Sequence, residues 1–254
     1  MHIPLRLSAF AVLLILNSGF FTFFVPISMK KYAVIVAGGK GVRMGSAVPK
    51  QFLPLNGQPI LYHTIKAFAD AYDDMQLVLV LPQDQLSYAQ MVLQSFPERI
   101  DITIVAGGET RYHSVQNGLK VVEQDSIVFV HDGVRPLATK DLIQRCYTQA
   151  ADKGSAIPAI PVADSMRVLE DEDSRPIDRE QMRIIQTPQT FRAEVILPAF
   201  AQEYQAAFTD EATVVEAYGD TVHLVDGERS NIKVTTPEDM IVAAALLKAR
   251  EDNA

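Results

Sequence analysis

The sequence has one cysteine, Cys146, among its 254 residues. A single thiol cannot close an intramolecular disulfide, and with no Cys-x-x-Cys or Cys/His partner spacing the sequence also speaks against a structural zinc. A reducing compartment is compatible with this. Basic residues are in the minority as well. Against 31 Asp and Glu stand 23 Lys and Arg, a formal net charge of −8. The field of the whole molecule therefore repels polyanions, which disfavours a nucleic-acid partner. An anionic ligand has to meet locally concentrated basic side chains. Internal repeats and low-complexity tracts are absent, and no linker splits residues 29–254. With 48% hydrophobic and 21% charged residues, the chain has the composition of an ordinary globular protein rather than a disordered or fibrous one.

Charge is missing altogether from Leu7 through Ser28, which also holds five of the twelve phenylalanines: Phe10, Phe20, Phe21, Phe23 and Phe24. A run of that length can span a bilayer. It fits a secretory signal poorly, because Arg6 is the one early full charge and no Ala-x-Ala-like cleavage site follows. Asn17, Ser18, Gly19 and Pro26 interrupt the run ahead of Met29-Lys30-Lys31-Tyr32, and Met29 reads as an alternative start. The expectation is that residues 1–28 stand outside the working fold. A membrane anchor and a core helix are the alternatives.

After this leader the pattern is regular. Lys31–Val36 is a short β-branched run ending in Ala37-Gly38-Gly39, as a buried strand entering a glycine loop. Pro59 opens a segment with Leu61, Ile65, Phe68 and Tyr72 at helical spacing, and Gln76–Leu81 is again strand-like. A helix around 83–94, a strand at Ile102–Val105, a helix carrying Val115, Leu119 and Val122, and a strand at Ile127–Val130 continue the alternation. It predicts a doubly wound, mostly parallel α/β sheet with ligands at the carboxyl ends of its strands. The middle differs: Ala156–Val162 and Met166–Leu169 are short strand candidates, and Glu170–Arg179 reads as a charged, turn-rich connection, together a projecting arm. A helix after Thr209 with Asp210 and Glu211 in its first turn, a strand at Val222–Val225 and a last helix capped by Thr236 with Pro237 at its first position complete the domain.

The segment Ala37-Gly38-Gly39-Lys40-Gly41-Val42-Arg43-Met44-Gly45, followed by Pro49-Lys50-Gln51, offers backbone amides that can cradle phosphate oxygens. No Gly-Lys-Ser/Thr closes it, so it is not a Walker A loop, and Met44 stands where the dinucleotide fingerprint needs its third glycine. A glycine turn with solvated basic residues is the plainer alternative. His131-Asp132-Gly133-Val134-Arg135-Pro136 falls on the same sheet edge. There Asp132 can hold a metal, orient phosphates or simply cap a turn, and Arg135 can bind a phosphate bidentately. His131 receives no role. Gly107–Ser114 is another strand-to-helix loop whose Ser114 can reach a base or ribose. Lys233 lies in the apolar, strand-like segment Asn231–Thr235, and Thr187 and Thr209 offer hydroxyls in turns.

In order, VAGGKGVRMGSAVPKQF, GGETRYHSV, HDGVRP, DREQ, TPQ, TDEA and NIKVTTPEDM resemble the motifs of the 2-C-methyl-D-erythritol 4-phosphate cytidylyltransferase family of non-mevalonate isoprenoid biosynthesis. The resemblance runs from about Lys31 to the last helix. It implies a Rossmann-like fold and a cytoplasmic homodimer whose β-arm, around 162–179, reaches the partner's site. It makes Ala37, Gly38 and Gly39 the triphosphate loop, and Arg43 and Lys50 the stabilisers of transition-state charge. Gly108, Glu109 and Ser114 would contact cytidine, and Asp132, Arg135, Ser165, Thr187 and Thr209 would lie around the substrates. Arg179 and Lys233 would hold the acceptor's phosphate. Gly38 and Gly133 stand where alanine is common in the family, and Ser165 where threonine is; the leader is no part of it. The implied reaction joins CTP and methylerythritol phosphate with Mg²⁺, and because a phosphomonoester is already ionised near neutrality (second pKa ~6) it requires no general base. That accounts for the missing Ser/His/Asp set. A ribitol phosphate cytidylyltransferase is the near alternative, and a membrane-anchored, non-catalytic nucleotide-binding module the remote one.

Overall fold

The computed structural model describes residues 29–38 and 48–252. The leader, and Gly39, Lys40 and Arg43 of the glycine loop, lie outside the described residues. The first half of the chain consists of β1 (Lys30–Val36), the two-residue strands β2 (Pro54–Leu55) and β3 (Gln58–Pro59), α1 (Ile60–Ala69), β4 (Met75–Leu81), α2 (Leu86–Gln94), β5 (Ile102–Ala106), α3 (Arg111–Leu119) and β6 (Ser126–Asp132). β1 lies between β4 and β6, and β4 pairs with β5, all in parallel. The chain thus builds outward from β1 to β5 and then crosses to the other edge of β1 to form β6. Such a reversal opens a crevice at the carboxyl ends of the strands on either side of it.

The apolar runs read from sequence are continuous because both faces of the sheet are covered. In β1, Ala33 and Ile35 join Leu61, Ile65 and Phe68 of α1 on one face, while Val34 and Val36 join Val115 and Leu119 of α3 on the other. The strand period of two sends successive side chains to opposite cores. Gly118 of α3 rides directly over β1, where a Cβ would come within 2.6 Å of Val34.

The second half comprises α4 (Lys140–Lys153), β7 (Ser155–Pro161), β8 (Met166–Glu170), β9 (Asp173–Ile177), β10 (Arg183–Ile185), β11 (Gln189–Arg192), α5 (Ala193–Ala199), α6 (Glu211–Tyr218), β12 (Leu224–Asp226) and α7 (Pro237–Glu251). β11 inserts antiparallel between β6 and β7, and β7 also pairs with β10 antiparallel and β12 in parallel. The mostly parallel sheet becomes mixed at this edge. The projecting arm is an antiparallel hairpin of β8 and β9, turning at Asp171 with φ 50°. The segment Glu170–Arg179, expected as a turn-rich connection, therefore contains a strand that is paired along its length. The arm carries Leu169 at 82% exposure.

Asn231–Thr235, expected as a strand-like segment, belongs to no strand. Single anchors hold it instead. Fully buried Val234 joins Leu55, Ile60, Leu137 and Ala243 in a small third core under α7, and its N–H donates to the Val134 carbonyl at 2.9 Å. Burying such a side chain contributes about 1.5–3 kcal/mol. α7 begins as its sequence predicts, with Thr236 and Asp239 in a reciprocal capping box and Pro237 at the first position.

Candidate active site

The crevice at the reversal of strand order is a cavity of about 310 Å³, within the range of small-molecule sites. Its walls come from the ends of β1 and β6, the loop after β5, the turn at Lys50 and the segment bearing Lys233. Ala37 is buried and Gly38 exposed at the end of β1. Gln51 fastens this end: fully buried, it donates through Nε2 to the Ala37 carbonyl at 2.8 Å and to Gln85 Oε1 at 2.7 Å. Among the described residues its own Oε1 has no hydrogen-bond donor. Lys50, on the same 3-10 turn, is 8% exposed and donates to the Val234 carbonyl at 3.1 Å. The backbone following Lys233 thereby fixes the position of Lys50.

On the opposite wall the β5–α3 loop wraps around Ser114. The Ser114 hydroxyl accepts from the Gly108 N–H at 3.1 Å and donates to the Thr110 carbonyl at 2.9 Å, so it organises the loop. Gly107 has no room for a side chain, since a Cβ there would sit 2.9 Å from Ser114 Oγ. Glu109 lies on the cavity wall, and Thr110 caps α3 through the His113 N–H.

Asp132 is the electrostatic centre. Its Oδ2 is 2.9 Å from Lys233 Nζ and 3.4 Å from Arg135 Nε, and its Oδ1 is 3.3 Å from Arg111 Nη2. Burial opposes ionisation, but Arg111, Lys233 and Arg135 outweigh it and hold the carboxyl well below the usual range. A carboxylate surrounded by three cations is poorly placed to ligate a metal, and among the described residues no group of three or more His, Cys, Asp or Glu could hold one. Arg111 is in turn gripped by fully buried Glu211, through Nη1 to Oε1 and through Nη2 to Oε2 at 3.1 Å. Behind Asp132, its N–H donates to Thr187 Oγ1 at 3.1 Å. The same hydroxyl lies 3.1 Å from His131 Nδ1, and His131 Nε2 lies 3.0 Å from the Arg135 carbonyl. A carbonyl only accepts, so Nε2 carries the proton and Nδ1 accepts from Thr187. Complete burial lowers the His131 pKa to about 4 and keeps the ring neutral.

The profile of the IspD family, 2-C-methyl-D-erythritol 4-phosphate cytidylyltransferase, matches residues 31–249. The chain belongs to this family. The cytidylyltransferase of Bacteroides thetaiotaomicron is 46% identical over 220 residues, which cover 86% of this chain and 100% of the relative. That of Porphyromonas gingivalis is 44% identical over 219 residues, covering 86% and 98%. Among solved structures, the 4-diphosphocytidyl-2C-methyl-D-erythritol synthase of Anaerococcus prevotii superposes with a TM-score of 0.72 at 28% identity, over 87% of this chain and 99% of its own. The Thermus thermophilus cytidylyltransferase gives 0.68 at 31%, over 85% and 98%. The two solved structures share the Rossmann-like fold of this chain.

Of the residues that the cytidylyltransferase motifs single out, Ala37, Gly38, Lys50, Gly108, Glu109, Ser114, Asp132 and Lys233 line one cavity. Arg135 and Thr187 are buried just behind it, and Arg135 Nη1 donates to the Asn231 carbonyl at 2.9 Å. Thr209 is exposed one residue before the cap of α6. Ser165 and Arg179 are exposed at the base of the arm, where Arg179 Nη1 donates to the Ala163 carbonyl at 2.6 Å. Neither is among the residues lining the cavity. Sequence reasoning missed Arg111, Glu211 and Gln51. Arg111 and Glu211 stand inside motifs it quoted, but their contact joins residues 100 apart in the chain. Among the described residues no helix is long and apolar enough to cross a membrane.

Proposed function

We infer that the protein transfers CMP from CTP to 2-C-methyl-D-erythritol 4-phosphate, forming the CDP-alcohol and releasing pyrophosphate. A phosphate oxygen of the acceptor forms a bond to the α-phosphorus of CTP while the bond from that phosphorus to the bridging oxygen of pyrophosphate breaks. The acceptor phosphate carries its negative charge at neutral pH (second pKa ~6), so the protein's task is alignment and stabilisation of charge. The observation that carries this reading is the cavity itself. It sets the glycine-rich walls beside two lysines that meet although far apart in the chain: Lys233 and Lys50 both line it, and buried Lys50 donates to the carbonyl of Val234, the residue after Lys233. In this reading Lys50, with Arg43, stabilises charge developing at the α-phosphorus, and Lys233, with Arg179, holds the acceptor phosphate. Gly108, Glu109 and the loop organised by Ser114 face cytidine. Asp132, Arg135, Thr187, Thr209 and Ser165 border the substrates.

Mg²⁺ enters this scheme on the triphosphate, as part of the nucleotide substrate. The donor set favours that route, since the Asp132 carboxylate is occupied by cations and Mg²⁺ commonly rests on substrate phosphates and water. Arg179 on the exposed arm fits a homodimer in which the arm completes the partner's site, and the reading places the enzyme in the cytoplasm. The deciding experiment offers purified protein CTP with methylerythritol phosphate or ribitol phosphate and measures pyrophosphate. Release with the former, lost in excess EDTA, is the expected result. A preference for ribitol phosphate or for ATP, or full activity in EDTA, counts against it.

A further inference from the structure

Arg111 lines the cavity but has no charge to spare for a phosphate. Its guanidinium faces Glu211, fully buried at the first position of α6, and through Nη2 it also reaches Asp132 Oδ1 at 3.3 Å. Asp132 offers its other oxygen to Lys233 at 2.9 Å. Glu211, Arg111, Asp132 and Lys233 thus form a row of alternating charge that starts in the core and ends at a lysine 43% exposed. Each contact constrains the next. Glu211 fixes the guanidinium plane, the guanidinium fixes Oδ1, and rotation of the carboxylate would carry Oδ2 away from the ammonium. Lys233 spends one of its three protons on Asp132 and keeps donors for a ligand. The buried pair is not explained by stability, because buried ion pairs contribute little to it compared with apolar replacements.

We propose that Arg111, seated by Glu211, is a positioning residue for the acceptor: it locks the Asp132 carboxylate so that the Lys233 ammonium stands where the acceptor's phosphate binds. This rests on the reading of Lys233 given above. The row also joins the two halves of the site, since Arg111 follows directly on the nucleotide-facing loop while Lys233 serves the acceptor.

The test compares wild type, Arg111→Ala, Lys233→Ala and the double variant of the full chain, with kcat and both KM values measured. Arg111→Ala is expected to raise the KM for methylerythritol phosphate at least about tenfold, the scale of a lost charge-assisted contact, with the KM for CTP nearly unchanged. The double variant is expected to be no worse than Lys233→Ala alone, because both act through one contact. Arg111→Ala strands a buried carboxylate, which can prevent folding. The variant Arg111→Met with Glu211→Met removes both charges at similar volume and is expected to show the same KM pattern. A raised KM for CTP, multiplicative effects in the double variant, or a lowered melting temperature with unchanged kinetics per folded site would each overturn the proposal. A wild type that does not turn over methylerythritol phosphate would instead refute the functional reading, and this inference with it.

Discussion

The crevice and the arm are both rich in arginine, and they use it in opposite ways. Arg111 and Arg135 are buried or half-buried against Asp132 and Glu211, with each guanidinium meeting more than one fixed acceptor. On the arm, Arg175 pairs with Glu170 while both are more than half exposed, and Arg179 is 47% exposed beside Glu180. Exposed pairs are worth about 0–1 kcal/mol, whereas removing one partner of a buried pair costs about 3–5. The crevice is therefore pre-set before any substrate arrives. The arm is held by its own ladder and by exposed contacts among its own residues, with Arg175 on Glu170 and Arg179 on the Ala163 carbonyl.

The comparison breaks most visibly at Lys50. Lys50→Ala is expected to lower kcat by roughly 10²-fold or more, as losing a transition-state charge contact does, with CTP binding nearly unchanged. Steady-state kinetics beside equilibrium CTP titration check this; weakened CTP binding at constant kcat would make Lys50 a ground-state ligand.

Next in size, Lys233→Ala and Arg179→Ala should each raise the KM for methylerythritol phosphate roughly 10- to 150-fold. Here the crevice and the arm are expected to converge on one phosphate. If they do so across a dimer, mixing Arg179→Ala with Lys50→Ala protomers should restore part of the activity, since one hybrid site then holds both wild-type residues. No recovery after demonstrated subunit exchange would confine the arm to its own subunit.

A third measurement concerns stability of the crevice alone. Folded His131 titrates at about 4, below its ordinary 6.5, because it is fully buried. The unfolded chain therefore takes up a proton that the folded chain refuses as pH falls below the ordinary value. Stability is full above that pH and declines towards 4 by about 1.4 kcal/mol per pH unit, roughly 3 in all. Denaturant melts at pH 7 and pH 5 should show the decline in wild type and a shallower one in His131→Gln. The smallest effect belongs to the arm: Arg175→Ala should cost under about 1 kcal/mol, with melting temperature nearly constant.

Much of this contrast is visible in the sequence, unevenly. β1, β4 and β6 were legible because strands buried on both faces are unbroken apolar runs. α4 was not, because only Leu142, Ile143, Cys146 and Ala150 turn inward. Its ends were signed all the same, by Thr139 accepting from the Leu142 N–H at 3.0 Å and Gly154 at φ 87°. β10 and β11 are three and four residues long, and their pairing with β7 and β6 has no local signal. Asn231–Thr235 misled through its apolar, strand-like residues, since Val234 faces a core under α7 rather than a sheet. In the site, motif residues such as Lys50, Asp132 and Lys233 could be picked out. Their coupling through Arg111 and Glu211 could not, because distance in space decides it.

Cys146 has a practical use. It is the chain's one sulfhydryl, wholly buried, with burial pushing its pKa to about 12, so thiolate-seeking reagents find almost no target in the folded protein. A cysteine introduced at the exposed arm position Leu169 would be the one readily alkylated site, and a fluorophore attached there would report where the hairpin goes during turnover without any prior removal of native thiols.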